Sequence, residues 1–329
     1  MGPAADIRTR YDRFARVEAA GSSPSYQRLA LAIAADEVAV DLIGRAEPAQ
    51  RQPNLVFGVL RWHGVDVTDA TAAVRWLVAH GEALLRELPT RRTQTNEVAR
   101  CALLLPALAG LPGPLALVEV GASAGLCLRP DRWSYDYGTG RVEVAQPIGA
   151  LTCAASGAVP VPAQMPDVRW RMGLDLAPLD PRDADAVRWL ECLVWPEHAQ
   201  RLERLRRAVA AAVEDPVEVR RGDLVTDLPA LLAAVPARHT VVVVHTAVLT
   251  YVPPEQRAAF RAVVRSAGAV RLGAEGPRVL PDVQPSSPPA GAALAITMDE
   301  RALGWGRPAR GVGDLGRRPL TAAAGPAAL

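Results

Sequence analysis

From Leu115 onward, short apolar runs alternate with stretches of helical character, and nothing else in the chain restricts its fold as strongly. Leu115–Val120 reads LALVEV, bounded by Pro114 and Gly121. A strand that is apolar along its length, not at every second position, has both faces covered, which is the situation of a parallel sheet between two layers. Thr240–Val244 (TVVVV) has the same character. Weaker strand signals fall at Val168–Met172, Val217–Arg220, Ala269–Leu272 and Ala293–Met298. Between them, Pro196–Val213, Leu228–Val235 and Pro253–Ala267 have helical periodicity, two of them opening on proline. Strand and helix in turn specify an α/β fold with a doubly wound, mostly parallel sheet.

The first part of the chain has a different pattern. Tyr26–Gly44 carries apolar residues at Leu29, Ile33, Val40 and Ile43, close to helical period, and Ser23-Pro24 before it is a helix-start signal. Asn54–Trp62, Asp69–Leu88 and Thr93–Leu105 continue the helical pattern. The expected organisation is a helical subdomain over 1–110, a Rossmann-like domain over 111–310 and a loose tail over 311–329 rich in Gly, Pro and Ala. Arg132–Val144 reads as an inserted hairpin, and Pro281–Ala290 as a loop.

Composition removes several chemistries. All 37 basic residues are arginine, so Schiff-base, pyridoxal-phosphate and Walker A lysines are ruled out. A net charge of +2 gives no basic field for nucleic acid. Cys101, Cys127, Cys153 and Cys192 form no CxxC and point to no zinc or iron–sulfur site. The N-terminus lacks the apolar core of a signal peptide, and the uncharged stretch Cys101–Val118 is broken by Pro106, Gly110, Pro112, Gly113 and Pro114. These features predict a cytoplasmic protein with a small-molecule partner and neither a membrane span nor a metal; its oligomeric state is left open.

The loop Gly121–Gly125 should connect the first strand to a helix at the carboxyl edge of the sheet, where ligands of such folds bind. With the strand's last acidic residue it spells Glu119-x-Gly121-x-Ser123-x-Gly125. A dinucleotide loop needs G-x-G-x-x-G, and the spacing here differs. It resembles the acidic-x-Gly-x-Gly-x-Gly signature of class I S-adenosylmethionine-dependent methyltransferases, with Ser123 in place of the middle glycine. The resemblance implies that Glu119, Gly121, Ser123 and Gly125 meet the methionyl part of S-adenosylmethionine. It also implies that an acidic residue ending the second strand, Asp175, binds ribose, and that Asp223, ending the third, lies near adenine. His245, ending the fourth strand, would face the transferred methyl as a base, with Thr246 and Tyr251 orienting substrate. Each has a plainer alternative: turn caps for the two aspartates and a carbonyl-bonded core imidazole for His245. Fifty positions separate Gly125 from Asp175, where about twenty are usual. Gln94–Glu97 reads as a helix start, and Arg201, Arg204, Arg206 and Arg207 as a solvated basic face.

QTNEVAR, VEVGASAGLCLRPDRWSYDYG, GLDLAPLDP, VWPEHAQRLERLRRA and TVVVVHTAVLTYVPPEQR follow one another in this order. Together they resemble a family of uncharacterised bacterial proteins catalogued as a domain of unknown function, over roughly Arg13–Leu280. The resemblance implies one unit of a helical part and a Rossmann-like part. Cys127 departs from it, since asparagine is expected there. The expected function is methyl transfer from S-adenosylmethionine to a small molecule. The alternatives are an NAD(P)-dependent oxidoreductase on the same sheet and a non-catalytic binding module.

Overall fold

A computed structural model describes residues 3–94, 96–156, 159–285, 294–306 and 320–322. Two compact units divide the chain, one of Met1–Thr95 and Asp183–Glu203, the other of Asn96–Arg182 and Arg204–Ala309. The expected tail, apart from Leu320–Ala322, lies outside the described residues, as do residues 286–290 of the expected loop. No described helix is long and apolar enough to cross a membrane.

The first unit is helical. The helix expected over Tyr26–Gly44 is two, Pro24–Ala35 and Glu37–Gly44. Asp36 separates them: its extended backbone ends the first, and its carboxylate accepts the Ala39 N–H to cap the second. Ser23 caps Pro24–Ala35 as the Ser-Pro signal predicts, accepting from the Tyr26 N–H. Pro53–Trp62, Ala70–Ala79 and Gly81–Glu87 follow, and Ala184–Cys192, not expected from sequence, packs in the same core. Phe57 sits at the centre of that core, with Tyr11, Phe14 and Tyr26 edge-on to it at 4.8–6.0 Å.

The second unit contains the sheet. In chain order its strands are β1 Leu115–Val120, β2 Ser134–Asp136, β3 Arg141–Val142, β4 Ala150–Thr152, β5 Ala155–Ser156 and β6 Val168–Asp175. They continue with β7 Val219–Arg221, β8 Thr240–Thr246, β9 Val270–Glu275, β10 Leu294–Met298, β11 Arg301–Gly306 and β12 Leu320–Ala322. The main sheet runs β5-β12-β11-β10-β9-β8-β1-β6-β7. From β7 to β9 neighbouring strands are parallel, and β10 and β11 are antiparallel. The expected hairpin is present as β2 and β3, to which β4 adds a third strand in a separate small sheet.

Strand parity assigns each side chain to a face. Leu115 and Leu117 of β1 join Val242 and Val244 of β8 beneath the helix Cys101–Ala109, whose Leu103, Leu104 and Leu108 complete that core. This helix, expected to close the helical part, thus belongs to the sheet. Val118 and Val120 join Val243 on the other face, against the helices Leu228–Ala233 and Pro254–Ser266. Helices therefore cover both faces, as continuous apolar strands require. The order of the parallel strands reverses between β1 and β8, where successive crossovers leave in opposite directions and open a crevice at the carboxyl edge.

Candidate functional site

Gly121–Gly125 leaves β1 at that edge. Gly121, Ser123 and Gly125 all have left-handed backbone, with φ of 69°, 53° and 66°. For Ser123 this conformation carries a cost that glycine would not bear. The turn is tied down from both sides. The Ser123 N–H donates to Asp175 Oδ2 at 2.8 Å, and Asn96 Nδ2 donates to Ser123 Oγ at 2.9 Å. The N–H groups of Gly121 and Ala122 go to the Leu174 carbonyl, and that of Gly125 to Ala122. Leu179 donates its N–H to the Ser123 carbonyl, so the chain leaving β6 lies along the turn. No α-helix follows. The expected helix is a single 3-10 turn, Leu126–Leu128, so the turn has no helix N-terminus behind it.

Asp175 ends β6, as expected, and reaches the turn despite the fifty intervening positions, because β6 pairs directly with β1. Its Oδ1 accepts the Ala177 N–H at 2.8 Å. Each carboxylate oxygen thus holds one backbone N–H and keeps one lone pair.

Glu119 is 3% exposed and shares its face of the sheet with Val244 and Thr246. These three, with Arg100, Cys101, Leu104 and Cys127, border a small cavity of about 10 Å³, the scale of one water molecule. Two polar atoms there have no hydrogen-bond partner among the described residues, Oε2 of Glu119 and Nε of Arg100. The Arg100 Nη1 donates to the carbonyl and the hydroxyl of Thr246 at 3.0 and 3.3 Å. Burial holds the Glu119 carboxyl well above the usual carboxylate range; the Cys127 sulfur adds to this and the Arg100 guanidinium opposes it. The Cys127 thiol is itself pushed up, first by its hydrogen bond with Cys101 and then by burial, so it is a poor nucleophile.

Of the other expected site residues, only His245 is turned into the core. His245 is one position from Thr246 and therefore on the opposite face. It is fully buried, with Nδ1 2.9 Å from Glu275 Oε1, Nε2 3.3 Å from Arg271 and its ring edge-on to Phe260. Burial lowers its pKa despite the Glu275 carboxylate, and with both ring nitrogens engaged inside the core it is in no position to act as a base. Tyr251 is 77% exposed on the 3-10 turn Leu249–Tyr251 that follows β8. Asp223 follows β7, where the Gly222 N–H donates to the Asp175 carbonyl, and it caps a turn there, its Oδ1 accepting the N–H groups of Val225 and Thr226.

Two segments with plain sequence readings join the site instead. Asn96 holds Ser123. Glu97, 4% exposed, accepts the Ala99 N–H and pairs with Arg204 at 3.2 Å. Arg204 is thus part of a buried pair, not of a solvated basic face. The signal available in sequence was the polar run Gln94–Glu97 placed directly before an uncharged helix. No cluster of three or more metal-ligating side chains occurs among the described residues.

The chain belongs to the family described as "Uncharacterized protein conserved in bacteria (DUF2332)", which matches residues 8–300. No curated protein and no solved structure matches it.

Proposed function

We propose that this family member binds S-adenosylmethionine at the carboxyl edge of β1 and transfers its methyl group to a small molecule. The observation that carries the reading is the pairing of the small-residue turn Gly121–Gly125 with Asp175 on the adjacent strand, beside the point where the strand order reverses. The strand order of the parallel part, β7-β6-β1-β8-β9, supports reading it as a Rossmann-like core. Ala122, Ser123 and Ala124, all small and buried, form the turn against which the methionyl part would lie. The free lone pairs of Asp175 suit a vicinal diol. Bound there, the donor supplies an electrophilic methyl carbon. The chain's contribution is to align it with the acceptor and keep water out. Burial disfavours the charged form of the Glu119 carboxyl beside the cavity.

A nicotinamide dinucleotide suits the turn less well. Its pyrophosphate needs free N–H groups, and those of Gly121, Ala122, Ser123 and Gly125 are used within the protein. The missing helix behind the turn and the occupied ring of His245 favour a second reading, a binding module without chemistry. Calorimetry with S-adenosylhomocysteine, with NADH as control, tests the proposal. Saturable binding of the first alone is expected, weakened by Asp175→Ala; no binding at high micromolar concentration overturns it. Binding without methyl transfer to any of a panel of small nucleophiles supports the second reading.

A further inference from the structure

Two cysteines of the sheet unit lie against each other. Cys101 opens the helix Cys101–Ala109, and Cys127 is the middle residue of the 3-10 turn that follows Gly125. They are 26 positions apart in the chain, yet Sγ of Cys101 is 3.4 Å from the carbonyl oxygen of Cys127. The two thiols are in hydrogen-bonding contact with each other. Each also has a backbone carbonyl in reach, that of Cys127 for Cys101 and that of Glu97, at 3.7 Å, for Cys127. The other two cysteines are placed differently: Cys153 follows β4, and Cys192 belongs to the core of the helical unit.

A thiol is a weak donor and a weak acceptor, so the pair adds little as polar partners to its neighbours Glu119 and Arg100. No group of three or more metal-ligating side chains forms among the described residues, so the pair is not part of a metal centre. What two sulfurs in contact can do, and no other side chains around the small cavity can, is join covalently. The two differ in access. Cys101 is 2% exposed and Cys127 is partly exposed, so a small reagent meets Cys127 first. The raised Cys127 thiol slows such attack at neutral pH, because the thiolate is the nucleophile. The second step is favoured by proximity, since the sulfur that must close the bond is already in place.

We propose that Cys101 and Cys127 are a reversible redox pair, closed to a disulfide by a small hydroperoxide. The Cys127 sulfur attacks one peroxide oxygen. An S–O bond forms, the O–O bond breaks, and the leaving oxygen departs as water with the thiol proton. The Cys101 sulfur then displaces the hydroxyl of the Cys127 sulfenic acid, forming the S–S bond and releasing the second product as water with the Cys101 proton. One peroxide is reduced by two electrons and the two thiols supply them. Two equivalents of a thiol reductant reopen the bond and end as their own disulfide. The link fastens the stretch after Gly125 to the segment that carries Asn96 and Glu97, so oxidation reaches the residues that hold Ser123. The pair stands whether or not the turn takes a methyl donor.

The test treats the full chain with hydrogen peroxide near the ordinary thiol pKa of about 8.5, blocks the remaining thiols, and maps the peptides by mass spectrometry without reduction. One link is expected, Cys101 to Cys127 within a single chain, with two of the four thiols lost and dithiothreitol restoring both. Cys101→Ser removes the closing sulfur and should leave a sulfenic acid on Cys127 that dimedone captures. Cys153→Ser should form the link as the unchanged chain does. No link, a link from either cysteine to Cys153 or Cys192 in its place, irreversible sulfinic acid on Cys127 without the link, or dimedone captured on Cys153 and not on Cys127 in Cys101→Ser would each overturn the proposal. The map of the unchanged chain decides by itself whether the link forms, so a variant that fails to fold does not shield the idea. None of these readouts uses S-adenosylhomocysteine, so failure here and failure of the methyl-donor reading are separate results.

Discussion

Gly121→Ala should destabilise the sheet unit by two separable routes. The position has φ of +69°, and an added methyl group in left-handed backbone costs about 1–2 kcal/mol. The same Cβ would stand 2.4 Å from Cγ2 and 2.8 Å from Cβ of Val248. Valine is β-branched and stiff at χ1, so it cannot swing aside; overpacking of this kind costs about 1–3 kcal/mol. The single variant should therefore lose about 3 kcal/mol in all. Val248→Ala removes the Cγ2 overlap and leaves the 2.8 Å contact and the backbone cost untouched. Alone it should cost about 1 kcal/mol for two half-buried methyl groups. In the double variant the two losses should fall short of their sum by about 1 kcal/mol or more, measured by urea unfolding at a common m-value. Additivity within about 0.5 kcal/mol would show that the turn moves away from Val248 freely, and that Gly121 is required for its backbone conformation alone.

Further outcomes follow from the same geometry. Glu119→Gln should be more stable than wild type at neutral pH. A carboxyl raised by burial stabilises the fold below its unfolded pKa of about 4.3 and loses that contribution as pH rises, so the advantage should vanish near pH 4 in thermal melts. His245 has the opposite sign. Its lowered pKa makes the fold lose stability as pH falls below about 6.5, and the melting difference between wild type and His245→Gln should shrink from pH 7.5 to 5.5. Asp223→Ala should cost about 1 kcal/mol, the worth of a turn cap, and leave S-adenosylhomocysteine affinity unchanged; a large loss of affinity would return Asp223 to the site. Ser123→Gly should be neutral within about 1 kcal/mol, because relief of the left-handed backbone offsets the lost Asn96 bond.

Much of the architecture is legible along the chain because it depends on neighbouring residues. Continuous apolar character in LALVEV and TVVVV requires cover on both faces, and helices lie on both. Prolines and caps mark helix starts, with Ser23 and Pro24 as the clearest case. Asp36 shows the limit of periodicity: the apolar pattern runs through it, while its side chain ends one helix and begins the next. The one-residue offset between His245 and Thr246 already placed them on opposite faces. A reading that put both at one site ignored strand parity.

The site itself was fixed by distant contacts. Spacing in VEVGASAGL favours small-residue packing over a dinucleotide, and that is a local property. Where the N–H groups of the turn go is not local: Ser123 bonds Asp175 across 52 positions, and Glu97 meets Arg204 across 107. The first pair arises because parallel strands bring together residues separated by a whole crossover, and the second because a helix packs back onto the segment before another; the motif encodes neither course. Sequence determined the alternation, the faces and the turn; the tertiary fold decided that His245 is a core residue, that Glu119 is buried beside Arg100, and that a single 3-10 turn and not a helix follows Gly125.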